Sequence, residues 1–268
     1  MNDAGSTLTT TRRHTASRPG PQRKARGRGK AMHDWAEGLL QAIDPNGCEA
    51  DVFARIAAAA SALGFEQCAF GLRSPLPVTS PKVAMINNYP RVWQKRYQEA
   101  RYVSIDPTVL HGRSSQLPLV WSDEVFAATP ALWSEAQAAG LRYGWCQSSL
   151  DAYGVTSMLS LSRSADPISV SELADKRMKM CWLVSVAHMA LGRLVKPTLY
   201  GAALGELTSR ETEVLKWTVD GKTAGQIADI LSISIDTVNF HVKNATVKMN
   251  TPNKATAAVR ALAMGLLS

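Results

Sequence analysis

Four side chains near the C-terminus are of the types that contact the edges of DNA bases, and they recur at helical spacing. They are Thr237, Asn239, Phe240 and Lys243. An asparagine amide can form two hydrogen bonds with adenine, a lysine can reach guanine or phosphate, and a phenylalanine ring can contact the methyl group of thymine. The chemistry that these residues predict is readout of a DNA sequence. The alternative is an ordinary helical hairpin whose polar side chains are only solvated.

A helix-turn-helix over residues 207–249 is the element that would position these side chains. Thr208 and Glu211 form a capping-box signature, in which a hydroxyl and a carboxylate each bind an unpaired amide at a helix start. Thr223 suits the N-cap of the second helix, and residues 232–234 suit the turn before the third. Apolar residues at helical spacing are expected to pack the helices together. They are Val214, Leu215 and Val219, then Ile227, Ala228 and Leu231, then Ile235, Val238, Val242, Ala245 and Met249.

Residues 32–195 form a separate predicted unit that mixes helices with strands. The predicted strands are 68–72, 82–86, 141–149 and 155–162, and the main predicted helices are 51–63, 130–139 and 169–195. Because these strands lie close together or are separated by helices of varied length, we predict an α/β/α sandwich with a largely antiparallel sheet. The fold class is therefore α+β, with residues 196–206 as a linker and 207–268 as an all-α helix-turn-helix domain.

The positive charge of the chain is concentrated in a leader, residues 1–31. Eight basic residues against Asp3 give this leader +7 of the chain's net charge of +8, so the remaining residues carry only +1. The leader is rich in Thr, Arg, Gly and Pro and has no apolar run, which predicts disorder. It is either a basic tail that attracts phosphates or an extension upstream of a true start at Met32; we favour the second.

The predicted DNA unit itself carries little charge. From residue 201 onward, seven basic residues face six acidic ones, for a net charge of +1. A single unit therefore neutralises few phosphates and is expected to bind DNA weakly at physiological salt. Two units that bind two half-sites would overcome this weakness, so we predict a homodimer on an inverted-repeat operator, with helix 169–195 as the dimerising element.

Several other classes of protein are disfavoured. Four cysteines form no CxxC pair, and His33, His111, His188 and His241 are scattered, so we expect neither a metal site nor a nucleophile elbow. The chain is not expected to be an enzyme or to need a cofactor. A phosphorylated response regulator would need apolar strands ending in acidic residues, which are not found. The cysteines, and apolar runs too short to span a bilayer, predict a cytoplasmic protein without a membrane partner.

The chain resembles the LuxR family of acyl-homoserine-lactone quorum-sensing regulators. In the DNA unit the similar segments are TSRETEVLKWTVDGKT and TVNFHVKN. In the first unit they are NYPRVWQKRYQEARYVSIDPTV, Trp121 and AAGLRYGW, which ends just after Gly144. The resemblance covers nearly everything after Met32 and nothing before it.

The resemblance implies a binding site for an N-acyl-homoserine lactone. Asp106 would accept a hydrogen bond from the ligand amide, and the Trp93 indole, which is only a donor, would donate to the lactone carbonyl. Tyr89 would donate to the acyl carbonyl, with help from Ser160. The aromatic walls of the pocket would be Tyr97 and Trp121. Such a site, apolar with a few polar groups, is typical for small ligands.

These residues also have simpler structural interpretations. Trp93 and Tyr97 are four residues apart, as in ordinary helix packing, and Asp106 before Pro107 suits a helix cap. Gln94 stands where some members of the family carry an arginine near a 3-oxo group, so a preference for 3-oxo ligands is not implied. Trp145 and Met158 are bulky candidates for the tail region and would favour a shorter acyl chain.

The function that the sequence predicts is ligand-controlled transcription. A dimer would bind double-stranded DNA and the transcription machinery, and an acyl-homoserine lactone would control it by completing the core of the first unit. The alternative is a regulator of the same architecture that is constitutive or that senses a small molecule other than a lactone.

Overall fold

A computed structural model describes residues 32–41, 43, 47–77, 79–152, 154–200 and 205–267. The predicted leader, 1–31, lies outside the described residues, and so do residues 201–204 of the predicted linker.

A five-stranded sheet forms the centre of the first unit, with the strand order β2-β1-β5-β4-β3. The strands are β1 (Gln67–Arg73), β2 (Val83–Asn87), β3 (Leu119–Val120), β4 (Tyr143–Leu150) and β5 (Thr156–Arg163). All four neighbouring pairs are antiparallel, which confirms the predicted sheet. The sequence does not reveal β3, because two residues are too few for an alternating apolar pattern.

Helices cover both faces of this sheet, as predicted for an α/β/α sandwich. They are α1 (residues 32–41), α2 (Glu49–Ala62), α3 (Arg91–Glu99), α4 (Pro107–Ser114), α5 (Pro130–Ala138) and α6 (Val170–Tyr200), with a 3-10 turn at Tyr102–Ser104. The alternation of side chains along β1 separates the two faces. Phe70 and Leu72 are buried in a core formed with α2 and α6, whereas Ala69 and Gly71 line a cavity on the opposite face.

The long helix α6 continues beyond its predicted end at residue 195. Pro197 lies within it, although proline removes one backbone hydrogen bond. Val195 and Leu199 are both buried in the main core, and this burial holds the last turns in helical form. The predicted linker boundary at residue 196 is therefore wrong, since the helix ends at Tyr200.

Helix α6 is also the one described helix that is long and apolar enough to cross a membrane, by length and composition alone. Half of the most apolar stretch of this helix is buried inside the structure. Leu183, Val186, Ala187 and Leu191 supply much of that burial and pack into the core beneath the sheet. It is therefore the central core helix of the first unit.

The second unit consists of α7 (Ser209–Val219), α8 (Ala224–Leu231), α9 (Ile235–Lys248) and α10 (Lys254–Ala263). The predicted capping box is present: Thr208 accepts from the Glu211 amide, and the Glu211 side chain accepts from the Thr208 amide. Thr223 caps α8 in the same way, with Gln226 as the returning side chain. Ser232 adopts the left-handed conformation, with φ of 53°, and makes the predicted turn.

Three apolar side chains do not occupy the core positions that the sequence predicts. Val219 and Ile235 are exposed because each lies at a helix end, beyond the contacts between the helices. Free cysteines usually behave as small core residues. Cys68 and Cys146 are buried as this rule predicts, whereas Cys48 is exposed. Cys48 is exposed at the start of α2, where its thiol contacts Asp51.

Candidate functional site

A largely apolar cavity lies between the sheet and helices α3, α4 and α5. Its empty volume, which includes open solvent outside its mouth, is about 1070 Å³. All six residues predicted to bind a ligand line it: Tyr89, Trp93, Tyr97, Asp106, Trp121 and Ser160. The structure thus brings together residues that span more than seventy positions of the sequence.

Asp106 is both a helix cap and a wall of this cavity. Its Oδ1 accepts from the Thr108 backbone amide at 2.8 Å and from the Thr108 hydroxyl at 2.7 Å. Its Oδ2 accepts from the Tyr97 hydroxyl at 2.8 Å. A carboxylate can accept about four hydrogen bonds, so these three leave it able to accept about one more. The two interpretations of Asp106 that the sequence left open are therefore compatible.

Two further polar groups on the cavity wall can form hydrogen bonds with a ligand. The side chain of Trp93 is buried, and its indole N–H meets no acceptor among the described residues. Ser160, on β5, is buried, and its hydroxyl likewise has no partner in the described part of the chain. Polar groups without partners are rare in protein interiors unless a ligand or water completes them.

The two tyrosines of the site are held in their protonated form. Burial raises the pKa of Tyr89 well above its ordinary value, and nearby Asp106 adds to the effect. Burial likewise raises the pKa of Tyr97, which donates to Asp106. Both phenols therefore remain hydrogen-bond donors at any physiological pH.

The position of the Trp121 ring requires a glycine at residue 144, which lies directly beneath the ring. A Cβ atom at position 144 would lie 2.2 Å from Trp121 Cδ2, so only glycine fits there. The Trp121 Nε1 atom is buried and has no hydrogen-bond partner among the residues that the structure describes. Its ring packs edge-on against Phe126 and Trp133, which stack on each other at 4.4 Å. Trp121 and Phe126 line this end of the cavity, whereas Trp133 packs against them outside the lining.

Sequence reasoning missed one residue of the site and misplaced another. Thr108 holds Asp106 through two hydrogen bonds, and the Asp-Pro-Thr pattern could have revealed it, since this spacing is common in capped helix starts. Trp145, predicted near the ligand tail, lies in the core on the opposite face of the sheet. Its neighbour along β4, Cys146, has the opposite orientation because strand side chains alternate. Met158 does line the cavity.

The residues predicted to contact DNA lie on α9. Phe240 is 60% exposed, and Asn239 and Lys243 are exposed on the same helix. Thr237 is partly buried, and its hydroxyl contacts Ser234 Oγ at 2.8 Å. Ser234 accepts from the Thr237 amide and caps α9, so Thr237 belongs to the cap at the start of this helix.

Among the residues that the structure describes, no group of three or more His, Cys, Asp or Glu side chains is placed to hold a metal ion.

Both units match known protein families. Residues 49–191 match the autoinducer binding domain, and residues 205–261 match the bacterial regulatory proteins of the luxR family. The transcriptional activator AnoR of Acinetobacter nosocomialis is 43% identical over 238 residues, which are 88% of this chain and all of AnoR. The quorum-sensing regulator RhlR of Pseudomonas aeruginosa is 38% identical over 233 residues, or 87% of this chain and 96% of RhlR.

The fold also matches a solved structure. SdiA in complex with octanoyl-rac-glycerol superimposes with a TM-score of 0.77 at 37% identity, and the match covers 88% of this chain and 96% of SdiA. SdiA is a regulatory protein of Escherichia coli. The chain therefore belongs to the LuxR family of bacterial regulatory proteins, and it is a transcriptional regulator in which an autoinducer-binding domain precedes a helix-turn-helix DNA-binding domain.

Proposed function

We propose that the cavity binds an N-acyl-homoserine lactone whose head group is held by Tyr89, Trp93, Asp106 and Ser160. One observation carries this proposal: a carboxylate with a free acceptor position and an indole N–H without a partner line the same apolar cavity. An acyl-homoserine lactone offers the complement, an amide N–H beside carbonyl oxygens. Tyr97 and Trp121 would form the walls around it, and RhlR, a quorum-sensing regulator, supports this class of ligand.

A second candidate ligand is an acylglycerol. SdiA has been solved with octanoyl-rac-glycerol, which also combines an apolar chain with a carbonyl group. Its hydroxyl groups would donate to Asp106 in place of the lactone amide. The remaining alternative is a constitutive regulator that needs neither ligand. Binding measurements with a panel of lactones and acylglycerols distinguish these three alternatives.

We propose further that the protein acts as a homodimer joined through α6. Met178, Trp182 and Met189 are 67%, 36% and 60% exposed, and their spacing of four and seven residues places them along one side of the helix. Exposed apolar side chains in a row indicate a surface that another protein covers. The low net charge of the DNA unit supports the same conclusion, because one unit alone would bind DNA weakly.

In this dimer, two α9 helices would contact the two halves of an inverted repeat. Asn239, Phe240 and Lys243 would contact base edges or phosphates, and Thr237 would fix the start of the helix against the DNA backbone. Bound in this way, the protein would contact the transcription machinery in the cytoplasm. We propose that it works by binding alone and catalyses no reaction.

Asp106→Asn tests the ligand site most directly. Asparagine retains the helix cap, but it replaces one acceptor oxygen by a donor group, which cannot accept from the ligand amide. We expect lactone binding, measured by thermal shift or calorimetry, to weaken at least about tenfold. The melting temperature of the unliganded protein should fall only slightly, because the Tyr97 hydroxyl, which donates to Oδ2 in the wild type, can instead accept from the new amide group.

Asp106→Ala is the matched comparison, since alanine loses both the cap and the acceptor. It should lower the unfolding free energy by about 1 kcal/mol and abolish the ligand response. An unchanged dose-response in Asp106→Asn would refute the assigned role of Asp106.

A further inference from the structure

We propose that a cleft between the two units is a second ligand site, which binds a small anion attached to an apolar body, such as a medium-chain carboxylate. This site is additional to the ligand cavity of the first unit, and the two share no lining residue. A molecule held in the cleft would contact both units at once.

Each unit contributes one wall of the cleft. The first unit contributes Leu76, Pro77 and Lys82, from the end of β1 to the start of β2, and Leu199 from the last turn of α6. The second unit contributes residues 250–252, which follow α9, and part of α10. The empty volume between the walls, which includes open solvent at the mouth, is about 970 Å³. The cleft therefore has room for a small molecule.

The face of α10 that lines the cleft is open at one end of the helix and packed at the other. Thr256, Val259 and Arg260 line the cleft, whereas Ala263 is buried in the main core and Met264 packs against that core. Residues three and four positions apart lie on the same face of a helix, so these side chains form one continuous stripe. The units therefore touch near the C-terminal end of α10 and leave space between them toward its start.

The lining of the cleft is positively charged. Lys82 of the first unit and Arg260 of the second both line it, and none of the described lining residues is acidic. The exposed Lys82 ammonium forms no ion pair with any residue that the structure describes. Arg260 Nη1 donates to the Asn250 carbonyl at 3.4 Å, which ties the guanidinium to the segment that follows α9. Like charges on two facing walls disfavour contact between the units, and a bound anion would offset this repulsion.

The apolar part of the lining indicates what the anion is attached to. Leu76, Pro77 and Leu199 face Val259 of α10 across the cleft. An inorganic anion would leave this surface uncovered, whereas a short hydrocarbon chain would remove it from water. A guanidinium binds a carboxylate through two parallel hydrogen bonds. The lining thus fits a carboxylate on a chain of several carbons better than phosphate or a neutral lipid.

A ligand in the cleft would couple the two units. It contacts both walls only while α10 rests on the first unit, so its binding free energy adds to the stability of that arrangement. Such a ligand would control the position of the DNA-binding unit without entering the first cavity.

Octanoate tests the site, with octan-1-ol as a probe that keeps the chain and lacks the charge. Each probe is titrated by calorimetry into the full chain and into a double variant, Lys82→Gln with Arg260→Gln. Binding in the first cavity is common to both proteins, so the difference between them measures binding in the cleft. We expect the double variant to bind octanoate in the cleft at least about tenfold more weakly, and to bind octanol as the wild type does. The octanoate difference should shrink as salt is added, because salt screens the two cations.

Single variants show whether both units contribute. Lys82→Gln, at an exposed position, should weaken octanoate binding about threefold, and Arg260→Gln about tenfold. Arg260→Lys keeps the charge without the two-bond geometry and should have an intermediate affinity; it replaces Arg260→Gln if that variant does not fold. Lys216→Gln removes an exposed cation of α7 outside the cleft and should leave every titration unchanged.

Three results would overturn the second site. Octanoate could titrate the wild type and the double variant alike, or octanol could lose as much affinity as octanoate. A loss in only one of the two single variants would show that the ligand does not bridge the units. If Asp106→Asn abolished octanoate binding while Lys82→Gln retained it, the octanoate would lie in the first cavity. Failure of the wild type to bind any lactone would refute the lactone function and leave the cleft unaffected.

Discussion

At the scale of single residues, the ligand cavity is distinguished by what its polar groups leave unpaired. Asp106 accepts three hydrogen bonds from Thr108 and Tyr97, and these fix the direction of its carboxylate before any ligand arrives. The Trp93 indole meets no acceptor among the described residues, although the side chain is buried. A fixed acceptor and an unused donor in one cavity favour a ligand that carries both an N–H and a carbonyl group.

Trp93→Phe should separate ligand binding from folding. The phenyl ring keeps most of the contacts with Tyr97 and Tyr102 but removes the donor, so lactone affinity should fall about threefold to tenfold. Because the indole N–H has no partner among the described residues, no hydrogen bond of the unliganded fold is lost. Calorimetric titration together with chemical denaturation measures both effects.

Trp133→Phe is the matched control. The Trp133 Nε1 atom donates to Asp123 at 2.7 Å, and Trp133 does not belong to the cavity lining. This variant should lower stability by about 1 kcal/mol with little change in ligand affinity once the protein is folded. If Trp93→Phe instead lost stability and retained its affinity, the role of Trp93 as a ligand donor would be wrong.

At the scale of secondary-structure elements, the sequence predicts those features that depend on residues close together in the chain. The capping box at Thr208 and the caps at Thr223 and Asp106 depend on residues within one turn of each other, and all three form as expected. The end of α6 and the orientation of Trp145 depend instead on distant partners. Leu199 keeps α6 helical past Pro197 by packing in the core, which no local rule describes.

The candidate site likewise combines features that the local sequence predicts with features that depend on distant contacts. Its polar residues have recognizable types and spacing, whereas the space above Gly71 is bordered by Met85 of β2 and Met158 of β5, which only strand pairing brings beside it. Strand pairing over nearly ninety residues cannot be derived from the alternation of one strand. The shape of the ligand cavity therefore becomes visible only in the folded protein.

One ion-pair cluster ties three of these elements together and should make stability depend on pH. Glu172 at the start of α6 contacts Arg163 on β5 at 2.7 Å and Lys176 at 2.6 Å, and Arg163 also contacts the Gly64 carbonyl after α2. Hydrogen bonds from Arg163 lower the pKa of Glu172 to about 2. Its carboxylate stabilises the fold at pH above about 4.5, and this contribution disappears as the pH falls from about 4.5 to about 2.

Glu172→Gln should therefore lower the unfolding free energy by about 1–2 kcal/mol at neutral pH and by progressively less in acid. Urea titrations of both proteins at several pH values measure the difference. Glu99→Gln, which removes an exposed pair with Lys95, should change stability by less than about 0.5 kcal/mol at every pH. A constant difference between Glu172→Gln and the wild type down to the lowest pH would contradict the assigned role of the carboxylate.

At the scale of the whole molecule, contacts between the two units are the route by which we propose that ligand binding affects DNA binding. Ala263 of α10 belongs to the main core of the first unit, and Met264 packs against it. A ligand that binds only the folded first unit stabilises that core and hence the surface on which α10 rests. The exposed methionines of α6 extend this proposal to a second copy of the chain, since a DNA unit with a charge of +1 would gain most of its affinity from pairing.

A double variant, Met178→Lys with Met189→Lys, tests the proposed dimer contact on α6. Both side chains are mostly exposed, so lysine should leave the fold and the lactone affinity intact while placing like charges across the proposed dimer contact. We expect a monomer in analytical ultracentrifugation. On an inverted-repeat operator, affinity should fall at least about tenfold, and the dependence on salt should drop to about half, because only one unit then contacts phosphates. Val170→Lys, at an exposed position of α6 outside this stripe, should remain a dimer and bind DNA as the wild type does. A monomeric double variant with undiminished DNA affinity would show that one helix-turn-helix suffices, and a dimer that persists would place the contact elsewhere on the molecule.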